Sequence, residues 1–499
     1  MVRTVAMAAG ALDGGGFKEA EILLSELLRK AGVEAGSPLA ADPDVTSISF
    51  DSRRVAPGSL FVALSGRNFD GASFAGEALE KGAVAVLGDP AHLRSRIPGE
   101  KAVGAAAPDR ALLADLALAL YGDVSADLSL VGVTGTNGKT TVTHLIAHIC
   151  SHSGVPASVI GTLNGERTTP EAAELFERLA RRRDSGERAV AIEVSSIALD
   201  QERTRNLRFA VAVFTNLSPD HLDYHGSMDS YFAAKARLFE PGVSDFAVVN
   251  RDSHYGRRLL AGLAVAGAGY GLADAEGLAF ARGEASFKLR GRPVSVPLFG
   301  VHNVYNVLGA IAAAERLGVS FADCIEAVAD FPGVPGRLER VNRGGSPAVY
   351  VDYAHSPDAL DQVTRALRGV MDPEARLFVV FGAGGNRDRT KRSLMGAVVA
   401  KAADYAVVTN DNPRDEDPTL IASEVVAGFA EPRQGFGFEV VYDRAEAIAR
   451  AIELAGPSDV VVIAGKGHET YQITGGVTRH FSDQETARAV LGVAKEAAR

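Results

Sequence analysis

The sequence predicts an α/β protein of three domains, a small one at the N-terminus followed by two larger ones built on mostly parallel sheets. Three observations carry this expectation. The chain has 499 residues, and a domain usually takes about 100 to 200. Apolar runs of strand length recur, and most pass into a loop and then a helical pattern, the order that produces parallel sheets flanked by helices. The segment F-P-G-V-P-G-R at 331–337 is rich in Pro and Gly and separates two such series.

Taken in order, Leu23, Leu24, Leu27 and Leu28 recur at helical spacing in E-I-L-L-S-E-L-L-R-K and predict an opening amphipathic helix. Short β-rich runs follow at Ser47 to Phe50, Ser59 to Leu64 and Ala83 to Leu87, then an Ala- and Leu-rich helix from Asp109 to Tyr121. This gives a small α/β domain over 1–129. From Leu130 the pattern is strand, glycine loop, helix, with further strands at Ala189 to Val194 and Val211 to Thr215 and an alanine-rich helix from Asn303 to Leu317. The second domain, 130–335, therefore reads as P-loop ATPase-like. Beyond the linker, strands at Ala348 to Val351, Leu377 to Phe381, Tyr405 to Thr409 and Val460 to Ala464 lead into loops rich in Gly, Asn, Asp or His. That predicts a Rossmann-like domain over 336–499, with ligands gathered beyond the carboxyl ends of its strands.

Composition narrows the function. Hydrophobic residues make up 46% and charged residues 23%, an ordinary globular balance. The net charge of -10 argues against nucleic acid as a partner and against stable contact with an anionic membrane, so phosphates must be held by local groups. Cys150 and Cys324 lie in helix-like apolar stretches and read as buried small hydrophobes in a reducing compartment. Met1 to Gly16 has too little apolar length for a secretory core or a membrane span, which predicts a cytoplasmic protein.

The chemistry-bearing signal with the least ambiguity is V-G-V-T-G-T-N-G-K-T-T at 131–141. It follows an apolar strand and opens a helix, so backbone amides from Gly135, Thr136, Asn137 and Gly138 and the helix N-terminus can cradle polyphosphate. Lys139 can reach the β- and γ-phosphates, and Thr140, followed by Thr141, can ligate Mg²⁺. The loop is shorter than the usual G-x-x-x-x-G-K-T. ATP and Mg²⁺ are the expected cofactors. Glu193 ends a strand where a metal beside the γ-phosphate needs a hard oxygen ligand. His144 and His148, one turn apart on the following helix, read as packing or solvent-facing residues. In T-N-L-S-P-D-H-L-D-Y-H-G at 215–226 the clustered acids and histidines suggest a metal or phosphate edge, yet Lys235 on the next helix would repel a cation unless its charge changed.

Read together, D-S-R at 51–53, T-G-T-N-G-K-T-T, E-V-S-S, N-L-S-P-D-H-L-D-Y-H-G, A-A-K, H-N-V-Y-N at 302–306, D-Y-A-H-S-P-D at 352–358, D-N-P-R at 411–414 and G-K-G-H-E at 465–469 resemble the Mur ligases of peptidoglycan synthesis over nearly the whole chain. The resemblance is greatest to members that add the third peptide residue. It implies an ATP-dependent amide ligase working through an acyl phosphate, with UDP-N-acetylmuramoyl-L-Ala-D-Glu as acceptor and a monomeric enzyme. It also implies that Lys235 is carbamylated, and so anionic, and that Glu193 and His221 join it and Thr140 as metal ligands. For Asp223 and His225, loop-stabilising hydrogen bonds are an equal alternative, and for His355 a loop bond is favoured over assistance at the phosphate. Asn303 and Asn306 match positions beside adenine, and Asp352 matches a contact to the nucleotide from the last domain.

For the UDP-sugar the resemblance points to Ser52, Arg67, Asn68, Thr168, Thr169, Ser195, Gln201 and Arg203. The D-N-P-R loop, Asp411, Asn412, Pro413 and Arg414, marks members that select meso-diaminopimelate, with Arg387, Gly465 and Glu469 as the remaining amino-acid contacts. Physical chemistry agrees, because diaminopimelate resembles lysine with an added distal carboxylate that a guanidinium can bind bidentately. The alternatives are a ligase adding lysine or one adding glutamate to a folate. The chain departs from the family pattern in a short 161–170 segment, in Ile197 for a histidine after E-V-S-S and in Ala72 for a histidine after D-G, all around the UDP-sugar pocket.

Overall fold

Parallel pairing dominates the architecture, as the strand-loop-helix order demands. The computed structural model describes residues 20–34, 41–65, 70–104, 108–281, 283–342 and 347–492. Arg67, Asn68 and the N-terminal stretch 1–16 lie outside them.

In the first domain, strands Ser47–Ser49, Ser59–Val62, Ala85–Gly88 and Ala102–Gly104 form a parallel sheet in sequence order. Helix Arg110–Tyr121 is started by Asp109, whose side chain accepts from the Leu112 amide. The opening helix is shorter than the leucine spacing predicts. It spans Leu24–Lys30, and Ile22–Leu23 pairs antiparallel with Asp44–Val45 instead. Leu24, Leu27 and Leu28 are buried at helical spacing while Leu23 is 45% exposed, so the buried stripe starts one residue later.

The central sheet runs Ala266–Tyr270, Phe246–Asn250, Val211–Phe214, Ser129–Thr134, Ala189–Glu193, Ala157–Ile160, all parallel. The chain leaves Ser129–Thr134 towards one edge and later returns to its other side, so the strand order reverses there, and a crevice opens beyond such a reversal. Helix Lys139–His152 fills the groove between the sheet and helix Val301–Arg316, with Val142, Leu145, Ile146 and Ile149 packed in one cluster with Val304, Val307, Leu308 and Ile311. A three-stranded antiparallel sheet, Glu276–Ala281, Glu284–Leu289 and Arg292–Val296, joins the same cluster through Ala285, Phe287, Leu289, Val294 and Val296.

The last sheet runs Glu339–Arg340, Ala348–Asp352, Val460–Ala464, Leu377–Phe381, Tyr405–Val408, Gly437–Val440, and only the first pairing is antiparallel. The loops after Asp352, Phe381, Val408 and Ala464 therefore open on one edge. A hairpin, Tyr471–Thr474 with Val477–His480, folds back over that edge, and Arg414 bridges to Thr474 within it. Arg444 and Asp483 form a fully buried pair at 2.7 Å, and the same guanidinium donates to the Ala464 carbonyl at the root of the G-K-G-H-E loop.

Candidate active site

The phosphate loop depends on glycine at two points. Gly135 and Gly138 have φ of 149° and 89°, a region that side chains disfavour. A Cβ on Gly135 would stand 1.9 Å from Thr215 Oγ1, and one on Gly138 2.5 Å from Asn306 Oδ1. The loop is cross-tied to the next strand's loop: Thr136 Oγ1 donates to the Ser218 carbonyl at 3.1 Å, and the Asn137 amide donates to Asn216 Oδ1 at 3.0 Å. Lys139 lies at the start of its helix and turns back, donating to the Gly135 and Thr136 carbonyls, both at 2.9 Å. Burial disfavours its charge, and Glu193 and Asp220 partly restore it. Thr141 is buried on the same turn.

Thr140 is the junction of the site. Its hydroxyl donates to Glu193 Oε2 at 3.1 Å and accepts from Arg337 Nη2 at 2.9 Å. Glu193 also accepts from the Thr162 amide and hydroxyl, and its backbone carbonyl accepts from Thr169 Oγ1 at 2.7 Å. Lys235 is buried behind the loop, donating to the Gly135 carbonyl at 2.9 Å, with its ammonium 4.8 Å from the Tyr231 ring centre. Burial first, and Lys139 second, hold its pKa well below the ordinary lysine value. His221 takes a left-handed backbone, φ 53°, and stands 3.6 Å from Asp220. His225 bonds to Ser196 Oγ at 2.9 Å and stacks on Tyr231, a loop-stabilising role.

Among the described residues no three His, Cys, Asp or Glu side chains gather as a metal cage. The donor set still fits Mg²⁺, which usually takes one or two carboxylates and completes its shell with phosphate and water. Thr140 and Glu193 supply such hard oxygens beside the phosphate loop. His148 bonds to the Ala327 carbonyl and Asp330, as a packing residue would.

Beside the phosphate loop, Asn306 donates to Asn303 Oδ1 at 3.1 Å, Asn303 donates to the Phe299 carbonyl, and both are buried. Asp352 is buried too, and its two oxygens accept from the Leu338 and Ala354 amides, each at 2.7 Å, so here it anchors the linker. Thr169, Ser195, Gln201 and Arg203 come together. The Ser195 amide donates to Thr169 Oγ1, while Arg203 donates to the Thr169 carbonyl and Gln201 Oε1 and pairs with Glu171 at 3.1 Å. Thr168 joins them through Thr162. Ser52 instead donates to Glu77 Oε2 within the first domain.

The loops after Phe381, Val408 and Ala464 converge under the hairpin. Asn412 donates to Glu469 Oε2 at 3.1 Å, and Lys466, fully buried, donates to both Asn412 Oδ1 and Glu469 Oε2 at 3.2 Å. Gly465, at φ 117°, passes so close to Asp411 that a Cβ would lie 2.7 Å from Oδ2. Pro413 is buried, and the Arg414 guanidinium donates to the Gly385 carbonyl at 2.7 Å. Arg387 and Arg414 flank Gly384, where a Cβ would meet Arg414 Nη1 at 3.1 Å and Arg387 Cγ at 3.6 Å.

Four contributors escaped the sequence reading. Asp220 neighbours His221 in the same motif. Arg337 ends the Pro/Gly linker, stacking 4.4 Å from the Tyr353 ring centre as it reaches Thr140. Asp358 crosses between domains to accept from Asn137 Nδ2 at 2.8 Å and Ser218 Oγ at 3.1 Å. Lys466 sits inside G-K-G-H-E. The signal available for each was its place inside or beside a motif already singled out.

The chain matches three family descriptions along its length: Mur ligase family, catalytic domain, over 44–120; Mur ligase middle domain over 133–314; and Mur ligase, glutamate ligase domain, over 336–467. It is 43% identical over 484 residues to the UDP-N-acetylmuramoyl-L-alanyl-D-glutamate--2,6-diaminopimelate ligase of Synechococcus elongatus, covering 91% of this chain and 95% of that one. To the protein of the same name from Streptomyces coelicolor it is 42% identical, covering 94% and 96%. A solved structure under that name superimposes with a TM-score of 0.62 at 32% identity, covering 94% of this chain and 98% of the other. The MurF ligase of Thermotoga maritima in complex with ADP shares the fold at a TM-score of 0.62 and 18% identity, covering 89% and 96%. Phosphate loop, cross-tied acidic loop and four-loop edge thus occur in a chain that belongs to the Mur ligase family.

Proposed function

We propose that this enzyme uses ATP and Mg²⁺ to join meso-diaminopimelate to UDP-N-acetylmuramoyl-L-Ala-D-Glu. The observation that carries the reading is the pair Arg387 and Arg414 flanking Gly384, with Asn412 and Glu469 joined on a neighbouring loop. A guanidinium fork suits a distal carboxylate and an acid suits the ammonium beside it. The Synechococcus elongatus and Streptomyces coelicolor relatives are named as 2,6-diaminopimelate ligases. Lysine, the second reading, would bring a bare cation to Arg414. The proposed division is 1–129 for the UDP-sugar, 130–335 for ATP and 336–499 for the amino acid. We take the enzyme to act as a monomer in the cytoplasm, in keeping with its charge of -10; among the described residues no helix is long and apolar enough to cross a membrane.

In the proposed reaction the D-glutamyl γ-carboxylate attacks the γ-phosphorus, the bond to the β-phosphate oxygen breaks, and ADP and an acyl phosphate result. The amine of diaminopimelate then attacks the acyl carbon, a tetrahedral adduct forms, and phosphate leaves as the amide closes and the amine loses a proton. Lys139, the loop amides and Arg337 would hold and offset the phosphate charge. Thr140, Glu193, His221 and carbamylated Lys235 would hold Mg²⁺, which supplies charge neutralisation on the transferring phosphoryl group. Asn303, Asn306 and Asp352 would border the nucleotide. Thr168, Thr169, Ser195, Gln201 and Arg203, with Ser52, Arg67 and Asn68 from the first domain, would hold the UDP-dipeptide. Asp358 and Arg337 already tie the last domain to the phosphate loop, which would keep water from the acyl phosphate.

The reading is tested by mixing ATP, Mg²⁺, UDP-dipeptide and meso-diaminopimelate and measuring phosphate release against product mass. One phosphate per ligated product supports it; release without the amino acid at the same rate refutes it. Arg414→Met is expected to raise KM for diaminopimelate at least tenfold, since about 1.5 to 3 kcal/mol rests on a hydrogen bond to a charged group, with KM for ATP within about twofold; steady-state titration of each substrate checks this. Lys466→Met leaves Glu469 without its buried cation, and a KM rise of about tenfold for the amino acid alone is expected on the same scale.

A further inference from the structure

The two arginine-bearing loops are joined from behind by a side chain that touches no proposed substrate. Arg392, in the first turn of helix Thr390–Ala402, is fully buried. Its Nη1 donates to Glu416 Oε2 at 3.0 Å and Glu424 Oε2 at 2.7 Å, and its Nη2 donates to Glu416 Oε1 at 3.0 Å and the Gly384 carbonyl at 3.1 Å. Gly384 belongs to the Arg387 loop and Glu416 to the Arg414 loop. Glu416 also accepts from the Asn386 amide, and Asn386 Nδ2 reaches Asp415 at 3.0 Å. On the open side the Gly385 amide donates to the Asn412 carbonyl at 2.9 Å, so each loop is held on two faces.

Both loops carry a left-handed residue at the point of contact, Asn386 and Arg414, each at φ 53°. Backbone of that kind persists only where its surroundings hold it. A buried guanidinium must be paired, and removing it would leave two carboxylates facing a backbone carbonyl.

We propose that Arg392 is a positioning residue that sets the separation of Arg387 and Arg414 and thereby the enzyme's preference for an added amino acid with a distal carboxylate. This rests on the diaminopimelate reading above. Its effect belongs to one substrate, because the brace lies behind the amino-acid loops and bonds to neither the phosphate loop nor the linker.

The test compares wild type with Arg392→Met, Arg392→Lys and Glu416→Gln in the full chain, measuring KM for meso-diaminopimelate, ATP and UDP-dipeptide and the kcat/KM ratio of diaminopimelate to lysine. Arg392→Met is expected to raise KM for diaminopimelate about tenfold and lower that ratio, leaving KM for ATP within about twofold. Arg392→Lys keeps the charge but cannot fork, so it should fall between. Should the methionine variant not fold, Arg392→Lys and Glu416→Gln carry the test with the same expected pattern. An unchanged KM and ratio, or a parallel rise in all three KM values, overturns the proposal. A wild type that uses lysine as well as diaminopimelate overturns the substrate reading instead; the brace then stands or falls on whether the KM rise is confined to the added amino acid.

Discussion

Lys139→Met is expected to lower the rate of phosphate release by on the order of 10²–10³ while leaving KM for the amino acid nearly unchanged, the loss typical of one preorganised charge aimed at a transition state. The side chain keeps its length, so the helix start and the glycine turn should survive. In the free site the ammonium is bonded to the Gly135 and Thr136 carbonyls at 2.9 Å, and burial works against its charge. Polyphosphate offers this cation a stronger partner than two neutral carbonyls, and the change of partner is where its contribution arises. Initial rates together with a thermal melt check this. A rate within about tenfold of wild type, with the fold intact, would remove Lys139 from the phosphate site.

Lys235→Ala is expected to lose activity on a similar scale, on the order of 10²–10³, and bicarbonate should not restore it. Carbamylation joins the neutral amine to carbon dioxide and releases a proton. The amine must therefore be uncharged, and the burial that holds the Lys235 pKa well below its ordinary value keeps it so at pH values where an exposed lysine is an ammonium. The modification would turn a buried neutral amine near Lys139 into an anion able to face Mg²⁺. Labelled bicarbonate should give a carbamate carbon resonance in wild type that the alanine variant lacks. Full activity in Lys235→Ala would eliminate the carbamate from the mechanism.

Much of this was readable in the residues because each strand brings its loop to a fixed edge of its sheet. Leu377–Phe381 and Val460–Ala464 appear at their expected bounds, and the other expected strands shift by one or two residues at an end. The sheet around Glu284–Leu289 went unread although Ala285, Phe287 and Leu289 alternate inward with strand period, a pattern the helices on either side overshadowed. At the site, residue type announced the groups that line the phosphate loop, but pairing between distant loops was not legible. Nothing local says that Lys466 reaches back to Asn412, that Arg337 reaches Thr140, or that Arg392 spans Glu416 and Gly384. Of the expected metal ligands, Glu193 meets Thr140, whereas His221 is half-exposed beside Asp220, and neither partner is announced by residue type.

The central claim, selection of an amino acid with a distal carboxylate by Arg387 and Arg414, is tested most directly by competition. Equal concentrations of meso-diaminopimelate and L-lysine are supplied with ATP, Mg²⁺ and the UDP-dipeptide, and the two products are counted by mass. The expected result is an excess of diaminopimelate product of at least about a hundredfold, the product of two charge-assisted contacts that lysine cannot make. An equal yield of the two products, or more of the lysine product, would contradict it.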